Sequence, residues 1–450
     1  MASAVPHERF REANAFVRLV KAQWAQQGVR NLEAVEVGLR EAVFRDLCRV
    51  LEELLNDPAL PVPGDQRQPH ERCHPERPKE VLTLFGPVPL RRNYYAQTGQ
   101  AGRIPLDQAL GVVDGYSPGV LRLLCRAAAR QAYEAAAADV QAFAGLRVEG
   151  RQIQRVVQLM GPVVRQAQAQ LPAPVHATGV IPILYVAADG TGLPMVPEAL
   201  EGRRGKQPDG SAKTRELKLG CAFTQVTWDE TGAPLRDYQS TSYVASFAPA
   251  DQFMVLLRQE AIRRRMAAAL ILVLLGDGAA WIWEQGLKCF PLAIQILDFF
   301  HALEHLTTLT RLLEVQEADA AILWHLWREE LLVDRVGEVI RQAQHRALTL
   351  VGEKAESAAV EVGYFERNQS RMLYGTYRAK GLFYGSGVVE AGCKTVIGQR
   401  CKQAGMFWSE PGAEKVLALR CALYGNQFDQ AWDWLHQSDY LRIRVAAQAA

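Results

Sequence analysis

No two cysteines in this 450-residue chain are spaced C-x-x-C, although eight are present, at positions 48, 73, 125, 221, 289, 393, 401 and 421. No knuckle-type zinc site is visible and no dense disulfide framework, so a reducing, cytoplasmic setting is expected. Excess charge of one sign is also missing. The net charge is +2, from 51 Lys and Arg against 49 Asp and Glu. A nucleic-acid partner would have to be met by local basic surface, not by overall charge. Long apolar runs are lacking too. "AAALILVLL" (267–275) falls far short of the roughly 20 residues that span a bilayer. The first residues, "MASAVPHERF", have no apolar core of a signal peptide, and no membrane association is expected. There is no internal repeat and no low-complexity tract beyond an Ala-rich patch at 135–138. What is present is ordinary globular composition, 49% hydrophobic and 22% charged, at a length for about three domains.

The N-terminal third alternates helix and turn signals. Residues 10–57 place Phe16, Val17 and Val20 at helical spacing. The Pro-rich, polar stretch 56–78 reads as a linker, and "KEVLTLFGPVPLRRNYYA" (79–96) alternates around a Gly-Pro break, as a hairpin does. Farther on, Tyr133, Ala136, Ala137 and Val140 make one apolar stripe. Ile153, Val156, Val157 and Met160 make a second, after the turn "AGLRVEG" (144–150). Helix, short turn, helix is the helix-turn-helix pattern. Arg147, Arg151 and Arg155 would give its second helix a basic edge for a DNA groove; the same residues also suit a solvated face of an ordinary helical hairpin.

The middle of the chain carries the chemistry. "IPILYVAAD" (181–189) and "LILVLLGD" (270–277) are buried-type strands that each end in Asp. Between them come a basic loop (Arg203, Arg204, Lys206, Lys213, Arg215), strands at 217–229 and 235–246, and a helix at 249–268. A short helix at 279–287 and a strand at 292–298 follow. Two hairpin connections and then helical crossovers predict a mixed sheet with helices packed on it, an α/β fold. A carboxylate at a buried strand end costs solvation unless it is paired or binds a cation. Asp189 and Asp277 therefore read as converging at one sheet edge, with Glu390, in the first turns of a helix after "YGSG" (384–387), closing the cluster. Such oxygen ligands suit Mg²⁺ or Mn²⁺, and two such ions promote phosphoryl transfer. Asp-Gly is also a hairpin-turn signal, and each Asp is followed by Gly.

"HALEH" (301–305) matches H-x-x-E-H, in which two His hold zinc and a Glu activates water. A zinc peptidase built on it would need a further Glu downstream, and the pattern accounts for nothing else in the chain. Core packing is the expected role of Trp281, Trp283, Trp324, Trp327, Leu331 and Leu332. Lys394, one turn after Glu390, suits either a phosphate contact or an i,i+4 ion pair.

Five stretches together resemble a known family. "DGTGLPM" (189–195), "TRELKLGCAFTQ" (214–225), "LGDGAAWIW" (275–283), "DFFHALEHL" (298–306) and "GSGVVEAGCKTVIGQRCKQAGMFWS" (385–409) are similar to the DDE transposases of bacterial insertion sequences of the Kra type, relatives of the Mutator-like transposases. The resemblance covers about 80–450. It implies a ribonuclease-H-like core with Asp189, Asp277 and Glu390 as the catalytic, metal-binding triad, two Mg²⁺ or Mn²⁺ ions, and Asp298 and His301 as active-site support. It also implies an organisation: N-terminal helices (1–58), a linker and hairpin region (59–110), a helix-turn-helix-like DNA-binding region (111–170), the core's first part (178–300), a helical insertion (301–375) and the core's last part with the Glu helix (376–450). Double-stranded DNA, as element ends and target, is the implied partner, and the basic residues picked out above, Arg147, Arg151, Arg155, Arg203, Arg204, Lys206 and Lys394, are expected to hold it. A homodimer or larger assembly is expected, since two ends are brought together. Members carry paired cysteines around the segment that here reads "YYAQTGQAGRIPLD" (94–107) and has none. A structure-selective nuclease on the same core, or a DNA-binding protein whose catalysis has lapsed, are the alternatives.

Overall fold

The computed structural model describes residues 10–99, 102–172, 180–205, 207, 210 and 212–437. Lys206, one of the basic-loop candidates, lies outside them. The chain divides into two compact units, Met1–Met160 with Trp432–Ala450, and Gly161–Ala431.

In the first unit, α1 (Arg11–Gln27) and α2 (Leu32–Leu55) form a helical hairpin. Its base is fixed by a buried carboxylate: Asp46 accepts from the amides of Glu12 and Ala13, two donors that the first turn of α1 leaves without intrahelical partners. Strands β1 (Arg72–Thr83) and β2 (Gly86–Ala96) pair antiparallel. The predicted hairpin is present but starts earlier, so residues 72–78 are strand and not linker. The preceding polar loop is tied down as well. Arg103 donates to Glu71 and to the carbonyls of Gly64 and Gln66, and its guanidinium lies over the Tyr95 ring at 4.2 Å. Asp65 accepts from Asn93 and Tyr95. Five or more hydrogen bonds of this kind make an ordered strap from a composition that reads as a spacer. Val81, Val88, Leu90 and Val112 form the local core, backed by Cys48, Leu51 and Leu55 of α2 and by Leu110, the last residue of α3 (Pro105–Leu110). Helices α4 (Pro118–Arg130), α5 (Tyr133–Asp139, prolonged by a π turn over Val140–Ala144) and α6 (Gly150–Gln170) follow. The second expected apolar stripe is buried throughout (Ile153, Val156, Val157 and Met160), and in the first Ala136, Ala137 and Val140 are buried while Tyr133 is only partly so.

The second unit is a mixed α/β structure around a five-stranded sheet. Its strands are β3 (Ile181–Pro194), β4 (Thr214–Gln225), β7 (Ser242–Ser246), β8 (Ala269–Gly276) and β9 (Ile294–Leu297). A separate two-stranded ribbon, β5 (Thr227–Trp228) and β6 (Pro234–Leu235), lies between β4 and β7 in sequence. The spatial order is β7-β4-β3-β8-β9, antiparallel across the first two pairs and parallel across the last two. The expected strand at 235–246 is mostly loop: Leu235 belongs to the small ribbon, and the strand of the main sheet begins only at Ser242. Its polar first half, Arg236 to Thr241, is tied by side-chain bonds among Ser240, Thr241, Thr224 and Arg236 instead of a ladder.

Consecutive residues of β3, Ile183 to Ala188, are all buried, which requires cover on both faces. Side chains of β4 alternate between the covers. Gly220 looks toward Phe253 and Leu257 of α7 (Ala250–Arg263), and Leu219 toward Gly392. Helix α8 (Ala280–Cys289) shares the α7 side, since Gly286 closes on Leu274. After β9 come α9 (Phe299–Leu313), α10 (Glu317–Leu332), α11 (Val336–Ala347), α12 (Glu353–Asn368) and α13 (Tyr374–Ala379). This is the helical segment expected over 301–375. Trp327 and Leu331 are buried in it, and Trp327 Nε1 donates to Gln342 at 2.8 Å, so Trp327 packs. Then α14 (Gly387–Gly392) runs without interruption through a π turn, Cys393–Gly398, into α15 (Gln399–Cys401). Helices α16 (Glu410–Tyr424) and α17 (Phe428–Gln437) complete the described chain.

Helix α14 approaches the sheet closely because position 392 has no side chain. A Cβ there would stand 2.7 Å from Tyr243 Cε1 and 2.9 Å from Leu219 Cδ2. In Gly392→Ala, the gain in helix propensity of about 1 kcal/mol opposes an overpacking cost of about 1–3 kcal/mol. A net loss of stability is expected in urea unfolding. A midpoint at or above the parent's would show that this contact gives way freely.

Candidate functional site

Strand register explains how residues 88 and 21 positions apart come together. In the parallel pair β3 and β8, Ala187 stands beside Leu275. Two residues on, Asp189 falls beside Asp277. In the parallel pair β8 and β9, Gly276 stands beside Leu297, so Asp277 is followed into the same row by Asp298. Neighbouring strands are about 4.8 Å apart. Three carboxylates thus share the C-terminal edge of the three parallel strands, the end where open α/β sheets bind ligands.

The face is decided by β4. Asp189 pairs with Leu219, and directly paired residues point to one side. Leu219 faces α14, the helix of Glu390. Asp189 is thereby not in a turn, since β3 continues through Gly190 to Pro194. The Asp-Gly turn signal holds only for the second case: Gly278 has φ +99°, and Asp277 Oδ1 accepts from the Ala279 amide at 3.0 Å.

The carboxylates of the group act on one another as like charges. Burial pushes the Asp189 carboxyl above its ordinary range; a hydrogen bond from the Cys393 thiol pulls the other way, and the charges of Asp277 and Glu390 push it up again. None of these leading influences is basic. Burial also raises Asp298, against amide hydrogen bonds from Ser386 and His301, with the Glu390 charge raising it further. Tyr364 of α12 stands against the same carboxylates. Its phenol is pushed up by burial and by Asp277, Asp298, Glu361 and Glu304, and its hydroxyl donates to the Asp277 main-chain oxygen at 3.4 Å.

Asp298 is fully buried and serves as the N-cap of α9, accepting from the His301 amide at 2.5 Å with one oxygen and from the Ser386 amide with the other. The expected Asp298–His301 pairing exists, but through the backbone of His301. The His301 imidazole lies 3.4 Å from Glu304. His305 Nδ1 is 2.7 Å from Glu361 Oε2, and its ring stacks on Tyr364 at 3.6 Å. "HALEH" is therefore the first two turns of the helix beside the carboxylate edge. Its second His is bound to Glu361, and Glu304 is largely exposed.

The donor set, oxygen-only and mutually repelling, has the chemistry that a hard divalent cation satisfies. Among the described residues no three His, Cys, Asp or Glu side chains are gathered closely enough to cage an ion. The site is a set of facing carboxylates with Glu390 exposed on its rim. Glu390 accepts from the Ser386 hydroxyl, and no ion pair joins it to Lys394 among the described contacts.

Sequence reading missed Ser386, Cys393, Tyr364 and Lys402. Cys393 follows Glu390 by three residues, so helical spacing alone would have placed it on the same face. Lys402 donates to Thr191 Oγ1 at 2.5 Å, two residues past Asp189, and no sequence signal ties it there. Of the basic candidates, Arg147, Arg151, Arg203, Arg204 and Lys394 are exposed. Arg155 is paired with Asp114 at 2.9 Å.

A raised carboxyl pKa in the folded state means that the native chain holds its proton to higher pH than the unfolded chain. Stability then falls as pH rises from the ordinary carboxyl value through the raised one, and stays lower above it. In chelator at pH 7, Asp189→Asn is expected to melt at a higher temperature than the parent. The gap should close below the ordinary carboxyl range, where the parent Asp is neutral in both states. Equal midpoints at pH 7 would contradict the placement of a partly buried Asp189 beside like charges.

The description of an uncharacterised protein family, UPF0236, matches residues 25–317. That span includes Asp189, Asp277 and the "HALEH" turn and ends before Glu390. No curated protein matches the chain.

Proposed function

Because the chain belongs to the uncharacterised protein family UPF0236, whose description assigns no activity, we propose its function from the carboxylate edge: it is a DNA transposase of the DDE type on a ribonuclease-H-like core. The observation that carries this reading is the parallel register that sets Asp189 beside Asp277 at one sheet edge, with α14, the helix of Glu390, packed on the same face against Leu219. The mixed sheet, with two antiparallel pairings and two parallel crossovers, and the helical segment between β9 and Glu390 support it.

In this reading Asp189, Asp277 and Glu390 would hold divalent cations, which supply activation of water or of a 3′-hydroxyl and stabilise the leaving oxygen. The chain's own groups do the rest. Asp298 anchors the turn before Glu390. Tyr364 closes the Asp277 side against solvent. Lys394 and Lys402, with the exposed Arg203 and Arg204, present ammonium and guanidinium groups to the phosphates that flank the site. Strand cleavage frees a 3′-hydroxyl, and its attack on target DNA joins the strands.

The test uses a plasmid carrying the DNA that flanks the gene, with Mg²⁺ or Mn²⁺. Cleavage at inverted repeats followed by joining is expected. Cleavage of branched DNA without joining would replace this reading by a structure-selective nuclease. Asp277→Asn and Glu390→Gln are each expected to abolish cleavage with DNA binding nearly unchanged, since backbone contacts come from other residues; cleavage retained in either variant contradicts the assignment. In Lys394→Ala with Lys402→Ala, the slope of log affinity against log salt should fall by about two units, close to one per lost phosphate contact. An unchanged slope would remove these lysines from the DNA path.

A further inference from the structure

Ser386 occupies the N-cap position of α14, yet its hydroxyl caps no amide of that helix. A serine there ordinarily accepts from the second or third amide of the first turn, which contributes about 1 kcal/mol. Here the hydroxyl donates instead to Glu390 Oε1, one turn along the same helix. The Ser386 amide is also engaged outside the helix, on Asp298 Oδ2. Asp298 is itself immobilised: its other oxygen takes the His301 amide, its own amide donates to the Gly276 carbonyl at 2.8 Å, and the next amide, Phe299, donates to Tyr384 at 3.0 Å. Ser386 is 2% exposed and Asp298 0%, whereas Glu390 is exposed. An exposed glutamate has three rotatable bonds and no packing to restrain them. Among the described residues the hydrogen bond to this carboxylate comes from a buried serine, whose amide is tied in turn to the strand end that carries the acidic row.

We propose that Ser386 is a positioning residue for Glu390: anchored by Asp298, it holds one carboxylate oxygen so that the other is presented toward Asp189 and Asp277. The inference rests on the reading of these three carboxylates as a divalent-cation site. It assigns Asp298 a task other than ligation. Both of its oxygens already accept hydrogen bonds, and its function is to place the serine. The arrangement also accounts for the glycine before the serine. A Cβ on Gly385 would stand 3.1 Å from the Phe300 ring and 3.7 Å from Asp298 Oδ2, tightening the passage through which the Ser386 amide reaches its acceptor.

The test measures Mn²⁺ binding to the full chain by electron paramagnetic resonance, alongside DNA cleavage. Ser386→Ala keeps the backbone bond to Asp298, so its melting temperature should stay near the parent's. Its Mn²⁺ affinity is expected to drop about 10- to 100-fold, the usual effect of losing a group that orients a metal ligand. Ser386→Thr, which restores the hydroxyl, should recover most of that loss. If Ser386 acts through Glu390, then adding Ser386→Ala to Glu390→Gln should weaken Mn²⁺ binding little beyond Glu390→Gln alone. Parent-like Mn²⁺ affinity in Ser386→Ala, or full additivity with Glu390→Gln, overturns the positioning role and leaves the transposase reading standing. A parent chain that binds no Mn²⁺ overturns both.

Discussion

Like charges at the end of a buried sheet repel one another, and the second unit is organised around keeping them there. Parallel register sets Asp189, Asp277 and Asp298 in one row, because a strand end has no freedom to move a side chain by more than its own reach. Burial then raises the carboxyls and makes the row unfavourable for the apo fold. The covers on the two faces oppose this: α7 and α8 on one side, α14 on the other, around a sheet whose central strands β3 and β4 are mostly buried. The apolar core supplies the stabilisation that the acidic edge gives up.

The four acidic positions are not equivalent, and the difference is one of hydrogen bonding. Asp298 has both oxygens satisfied by main-chain amides and lies out of solvent, so it is a structural cap. Asp189 has a thiol as its side-chain partner, a weak donor that leaves most of its acceptor capacity open. Asp277 uses one oxygen on the Ala279 amide. Openness of this kind is what separates a residue available to a cation or substrate from one that holds the walls. Glu390 comes from a mobile type of side chain and is restrained from outside, through Ser386.

The helices between β9 and α14 are more than a spacer. Tyr364, on α12, reaches the Asp277 main chain and takes the space that Gly278 leaves free, where a Cβ would come within 2.9 Å of its ring. His305 stacks on the far face of the same ring and is held by Glu361. The helical segment thus has a defined seat on the acidic edge. The two histidines that suggest a metal ligand pair by spacing are, in the fold, part of that seat.

Much of the second unit was legible in the sequence because its signals are local. An apolar run of strand length ending in Asp is a statement about burial and about one costly group, and both 181–189 and 270–277 carried it. Glu390 was marked differently, as a carboxylate in the first turns of a helix after a Gly-rich turn and by the family resemblance, since its exposed position carries no burial signal. The first half of 235–246 misled because its polar residues bond side chain to backbone within the loop, a pattern that period-two alternation does not register; residues 72–78 misled because proline and charge hid an edge strand. Tertiary structure alone decided the rest. The face taken by Asp189 depends on which helix covers Leu219, Arg155 finds Asp114 across 41 residues, and Ser386 finds Asp298 across 88. Those choices rest on close approach of distant segments, permitted at Gly392 and Gly278 by a missing side chain, and no window of sequence contains both partners.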